Sequence, residues 1–157
     1  LSMPSGKWSA GALRISSRTI SADDISEVLG IEPHRTAQQG SVWIRTSGLG
    51  NDRWPDEHIA ALIRLLDGRH DALGRLAADC EVELVLGFGS EGGQGGCVLP
   101  AGLLKEIGLL GIDVVLDLYP PTPDDDPLPL LLNPSSTPTP RSDPPHPPKD
   151  PSAPPAH

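Results

Sequence analysis

The sequence predicts an α+β domain of two layers, a mixed β-sheet of four to five strands with three helices on one face, followed by a disordered proline-rich tail. Two observations carry the domain. Short segments of alternating polarity are interleaved with segments whose apolar residues recur every three or four positions, and each helical segment is closed by glycine or proline. A third carries the tail. Fifteen of the nineteen prolines lie between Pro120 and His157.

The elements follow in order. "ALRIS" (12–16) sets Leu13 and Ile15 against Arg14 and Ser16, as a half-buried strand does. "TISADDISEVLG" then begins a helix with Ser21 as N-cap, Asp24 completing a carboxylate version of the capping box and Ile20 and Ile25 forming a hydrophobic staple. Gly30 suits the left-handed position beyond the helix, and Pro33 cannot continue it. After this corner "SVWIRT" (41–46) is a strand. A long second helix opens at Trp54-Pro55-Asp56-Glu57 and runs on one face through Ile59, Leu62, Ile63, Leu66, His70, Leu73 and Ala77, with Gly68 or Gly74 as a kink. "CEVELVLGF" (80–88) and "GCVL" (96–99) make a hairpin about Gly92, a third helix spans Pro100 to Leu110 with Gly111 as its stop, and "IDVVLDLY" (112–119) is the last strand. Helices on one face of the sheet is the economical packing of that order.

The chain divides at Tyr119, into a domain over 1–119 and an acidic tail over 120–157. The tail has no aromatic residue and one apolar run, "LPLLL" (128–132), so it buries too little to offset its ordering entropy. The domain carries −6 and the tail −3, from 10 basic and 16 acidic residues against 2 and 5. Such a surface repels phosphate backbones and anionic membranes. No stretch is long and apolar enough to span a bilayer, and "LSMPSGKWSAGAL" lacks the apolar core of a signal peptide. A cytoplasmic location is expected, with Cys80 and Cys97 as two buried thiols.

The run "GIEPHRT…GSVWIRT", with "ALRISS…ISADDISEVLGI" before it and "LPAGLLKEIGLLGIDVVLDLY" after it, resembles the bacterial family catalogued as domain of unknown function 4279. The residues that match its pattern are Gly30, Pro33, Arg35, Thr36, Gly40, Trp43 and Tyr119, within a resemblance spanning roughly Ala12 to Tyr119. It implies a small α+β domain. No activity is assigned to the family, so it implies no functional residue, and Gly30, Pro33, Arg35, Thr36 and Gly40 are expected to build a structural corner.

Catalytic patterns are absent. "GFGSEG" (87–92) matches G-x-G-x-x-G, but a dinucleotide helix must start within the glycine run so that its N-terminus meets the phosphate. Here the helix waits for Pro100. Ser47 and Ser90 have no histidine and acid placed by any recognisable pattern, and the five histidines have no metal spacing. No cofactor and no metal is expected. The remaining reading is a non-enzymatic interaction module whose partner is another protein, with a partner-neutralising protein of the immunity type as one form of it. The alternative is a nucleotide or small-molecule sensor or enzyme using the glycine-rich loop 87–96. For the module, alternation sends Val42 and Ile44 with Leu13 towards the helices, leaving Arg14, Trp43, Arg45, Glu83 and Asp117 on the helix-free face. Two arginines beside an indole would suit an acidic or flat aromatic partner surface.

Overall fold

The structure, a computed structural model, describes residues 2–93 and 95–119. The tail assigned to 120–157 lies outside the described residues. The elements are β1 (Lys7–Ser16), α1 (Ala22–Leu29), β2 (Arg35–Ala37), a short 3₁₀ turn (Gln38–Gly40), β3 (Val42–Thr46), α2 (Pro55–Leu65), α3 (His70–Ala77), β4 (Glu81–Ser90), α4 (Ala101–Leu110) and β5 (Asp113–Tyr119). The strands form one mixed sheet in the order β2-β3-β1-β4-β5, antiparallel except for the β4–β5 pair. The expected α+β class, mixed sheet and single helical layer are what the protein has.

α1 forms as its caps dictate. Ser21 Oγ accepts from the Asp24 N–H at 3.2 Å, Asp24 Oδ2 accepts from the Ser21 N–H at 3.4 Å, and Gly30 closes the helix in the left-handed region at φ 67°. Leu13 and Ile15 of β1, Trp43 of β3 and Leu84 and Leu86 of β4 meet Ile25 and Leu29 of α1, Ile59 and Leu62 of α2, Leu73 and Leu76 of α3 and Ile107 of α4. Apolar burial of this kind contributes ~25 cal/mol per Å² removed from water. It is the main force holding helices to sheet.

Three expectations about elements need correction. The long second helix is two helices: the chain turns at Gly68, φ 72°, where a side chain would be strained, and α3 starts afresh at His70. His70 consequently leaves the apolar stripe and is exposed. The hairpin about Gly92 is replaced by a β4–α4–β5 unit with parallel strands, and residues 96–99 form no strand. Arg35 and Thr36, placed in the corner, form the short edge strand β2 instead.

Gly11 sets the distance between layers. A Cβ on it would lie 2.6 Å from the His58 Cβ, so its absence lets α2 sit directly on β1.

Candidate functional site

The sheet face without helices is built by alternate residues of each strand. Pairing of Arg14 with both Ile44 and Glu83 puts Val42, Ile44, Ala12, Arg14, Glu83 and Val85 on that face. The parallel β4–β5 register adds Asp113, Val115, Asp117 and Tyr119.

Two of the five residues expected there are elsewhere. Trp43 pairs with Ile15 and Arg45 with Leu13, on the helical side. The phase chosen for "SVWIRT" is therefore one residue out. Val42, Trp43 and Ile44 are all apolar, so alternation alone does not decide it, and tertiary contacts do. Trp43 is 0% exposed, and its indole N–H donates to Ser26 Oγ of α1 at 3.0 Å. Arg45 donates to the Glu32 carbonyl at 3.0 Å. The first ties β3 to α1 itself and the second to the segment that follows it.

Arg14, Glu83 and Asp117 do share the helix-free face. Arg14 Nε donates to Glu83 Oε2 at 2.8 Å and Nη2 to the same oxygen at 2.5 Å. Arg14 is buried, and its Nη1 has no hydrogen-bond partner among the described residues. A groove of about 610 Å³ begins beside it, lined by Ser16, Arg18, Gln38, Ser41 and Asp79 among others. Gln38 and Gln39 hold φ of 49° and 58°, a conformation disfavoured for residues with a Cβ. Gly40, φ 88°, completes the turn without that penalty.

The other end of the face carries an aromatic pair that the sequence reading did not identify. Trp8 and Tyr119 stack with ring centroids 5.2 Å apart, a separation at which aromatic pairs attract. Gly89 lies between them in the register, opposite Trp8 on one side and Tyr119 on the other. A Cβ on Gly89 would lie 2.2 Å from Trp8 Nε1, so the ring lies across the bare backbone. The Tyr119 hydroxyl donates to Asp117 Oδ2 at 3.5 Å. Its pKa is pushed up to about 12 by burial first and then by the Asp117 charge and hydrogen bond.

Gly87 and Gly89 are thus strand residues. The glycine-rich loop 87–96 is divided, with 87–90 inside β4 and only 91 onward forming a connection. The cysteines also differ from expectation: Cys80 is half-buried and Cys97 exposed, and burial, then Asp56, raises the Cys97 thiol's pKa.

Ser47 does find a histidine. His58 Nδ1 lies 2.6 Å from Ser47 Oγ, which also accepts from the Leu49 N–H at 3.3 Å. The pair lacks what a nucleophile needs. His58 is fully buried and its Nε2 has no hydrogen-bond partner among the described residues, so no acid orients the ring and no substrate reaches it. Its position clamps the loop after β3 onto α2. Among the described residues no three His, Cys, Asp or Glu side chains group so as to hold a metal ion, and no helix is long and apolar enough to cross a membrane.

Neither curated proteins nor solved structures give a match to the chain. One family model matches, described as a domain of unknown function (DUF4279), over residues 8–121. That span takes in nearly all of β1 and every later element. The chain belongs to the DUF4279 family.

Proposed function

We propose that the domain is a non-catalytic binding module that captures a basic protein surface on its helix-free sheet face. The observation that carries this reading is the Trp8–Tyr119 pair with Asp117 beside it. Aromatic faces attract guanidinium and ammonium groups, and a neighbouring carboxylate adds a charged acceptor. With Trp43 and Arg45 on the other face, the charges here are Arg14 and Arg35 against Glu81, Glu83, Asp113 and Asp117. The Arg14–Glu83 pair is internally neutral and Arg35 stands on the far edge strand. Uncompensated charge around the aromatic pair is therefore negative. This reverses the acidic partner expected from the sequence, keeps the protein partner, and fits the chain's net charge of −9.

Trp8 fluorescence can be followed while arginine- and lysine-rich peptides are titrated. Saturable quenching that Trp8 contributes should vanish in Asp117→Lys and weaken steeply with salt, while Arg45→Glu on the opposite face binds as the wild type does. Equal affinity of Asp117→Lys and wild type for the same peptide would refute the assignment.

A further inference from the structure

The outer edge of β5 points to a self-association surface beyond the helix-free face. β5 is the terminal strand, and no strand pairs with its outer backbone edge among the described residues. Sheets usually protect such edges with lysine, proline, a bulge or extreme shortness. The opposite edge uses shortness, β2 having three residues. β5 has seven, "DVVLDLY", with neither lysine nor proline. On its helical side Leu116 and Leu118 are 57% and 76% exposed. Leu104 of α4, also exposed, extends this apolar surface. Ile107 marks the buried side of α4, and Glu106 faces the groove that α4 shares with α2 and α3. Leu104 lies about 160° round the helix from Glu106, on the flank towards the β5 edge.

We propose that β5 pairs with β5 of a second copy of this chain, antiparallel about a two-fold axis at Leu116, joining two five-stranded sheets into one. An axis perpendicular to the sheet keeps the helices of both copies on one side and makes the patch its own complement. In this register Leu116 faces Leu116, Val114 faces Leu118, Val115 faces Asp117 and Asp113 faces Tyr119 of the other copy. All seven residues then pair, and no acid stands directly opposite an acid. Moving the axis by one residue breaks this. At Val115 it would set Asp113 against Asp117 twice, and at Asp117 it would set that residue against itself, and like charges directly opposite destabilise a strand pair. The net charge of −9 opposes association of two chains. The helical side of the seam offsets it, because Val114, Leu116, Leu118 and Leu104 carry no charge and the leucines that each domain leaves bare are buried there.

The test compares the full chain with its Leu116→Lys variant by analytical ultracentrifugation. The expected result is a wild-type dimer at micromolar concentration whose self-association Leu116→Lys weakens at least about a hundredfold, since a symmetric interface suffers each substitution twice. The register is read by cysteine cross-linking in a Cys80→Ser/Cys97→Ser background. Leu116→Cys should oxidise to a covalent dimer across the axis. Leu118→Cys should not, because four residues of offset hold the two copies of that position about 13 Å apart along the strands, beyond disulfide reach. A wild-type chain that stays monomeric, or a dimer that Leu116→Lys leaves intact, would overturn the proposal. So would equal cross-linking of the two cysteine variants or the reverse order, and this comparison decides the case even if Leu116→Lys fails to fold.

Discussion

Replacing His58 by glutamine should remove a specific part of the domain's acid sensitivity. The imidazole is fully buried against Gly11, with Ser47 at Nδ1 and no partner at Nε2 among the described residues. Burial is the first cause of its lowered pKa, with the Arg53 charge acting in the same direction, while the Ser9 backbone and the Glu57 and Asp52 carboxylates act against it. The unfolded chain takes up a proton at the ordinary value of 6.5 and the folded one at lower pH. The unfolded state therefore binds more protons below 6.5, so stability present above that pH is lost as pH falls towards the folded pKa. The loss approaches ~1.4 kcal/mol per pH unit within that window. Between pH 7.5 and 5.5 His58 should therefore contribute up to ~1.4 kcal/mol, or about 0.5 to 1.4 M in urea midpoint for slopes of 1–3 kcal/mol/M. His58→Gln keeps a polar group near Ser47 but has no such titration. Urea melts of both chains at the two pH values measure the difference, and contributions from the more exposed His34 cancel in it. If the variant loses as much stability as the wild type over this range, the ring is not held neutral by burial and the account of the clamp is wrong.

Three further perturbations address the same framework. Gly11→Ala places a Cβ 2.6 Å from the rigid His58 Cβ, so α2 must shift; a loss of about 1–3 kcal/mol is expected in denaturant melts, and a neutral variant would show that the layers are not in contact there. Gly89→Ala drives the Trp8 ring off its seat and away from Tyr119, which should red-shift Trp8 emission, measured as the difference from Trp8→Phe backgrounds, and an unshifted spectrum would contradict the stacking. His34→Ala removes an acceptor bonded by the Thr46 N–H at 3.3 Å and adjoining its hydroxyl at 2.6 Å, so a fall of ~1 kcal/mol is expected in thermal melts, where an exposed corner histidine without partners would give none.

What could be read in the sequence was local. Ser21, Asp24 and Gly30 bracket α1 because caps are made by residues within a turn of the helix end, and Pro55 and Gly111 mark α2 and α4 in the same way. What could not be read was set by distant partners. The phase of β3 depends on Trp43 finding Ser26, seventeen residues earlier. The course of β4 through Gly89 depends on Trp8, whose ring needs the space that this glycine leaves. A glycine that is flexible in isolation is therefore extended in the sheet. Burial of His58 had one sequence signal, the small-residue run Ser9-Ala10-Gly11 that permits a helix to approach the strand. Its meaning depends on which helix arrives.

The one-residue phase of β3 also decides the chemistry of the proposed partner. With Trp43 and Arg45 facing outward, the helix-free face would present two arginines beside an indole and would select acids. With them turned inward, Trp43 becomes the largest fully buried side chain and Arg45 bonds the backbone of the connection after α1. Ile44 and Val42 take their places on the helix-free side, where with Ala12 they form a small buried apolar cluster beside Arg14. Arg14 is then committed to Glu83, and an aromatic pair drawn from the two ends of the family match, Trp8 and Tyr119, stands next to Asp117. Because Trp8 and Tyr119 come from strands separated in the sheet by β4, the pair exists only once β1, β4 and β5 are assembled. Binding at this site is accordingly coupled to folding of the sheet's β5 edge. A ligand that occupies it should slow amide exchange in β5 more than in β3 on the other side of β1.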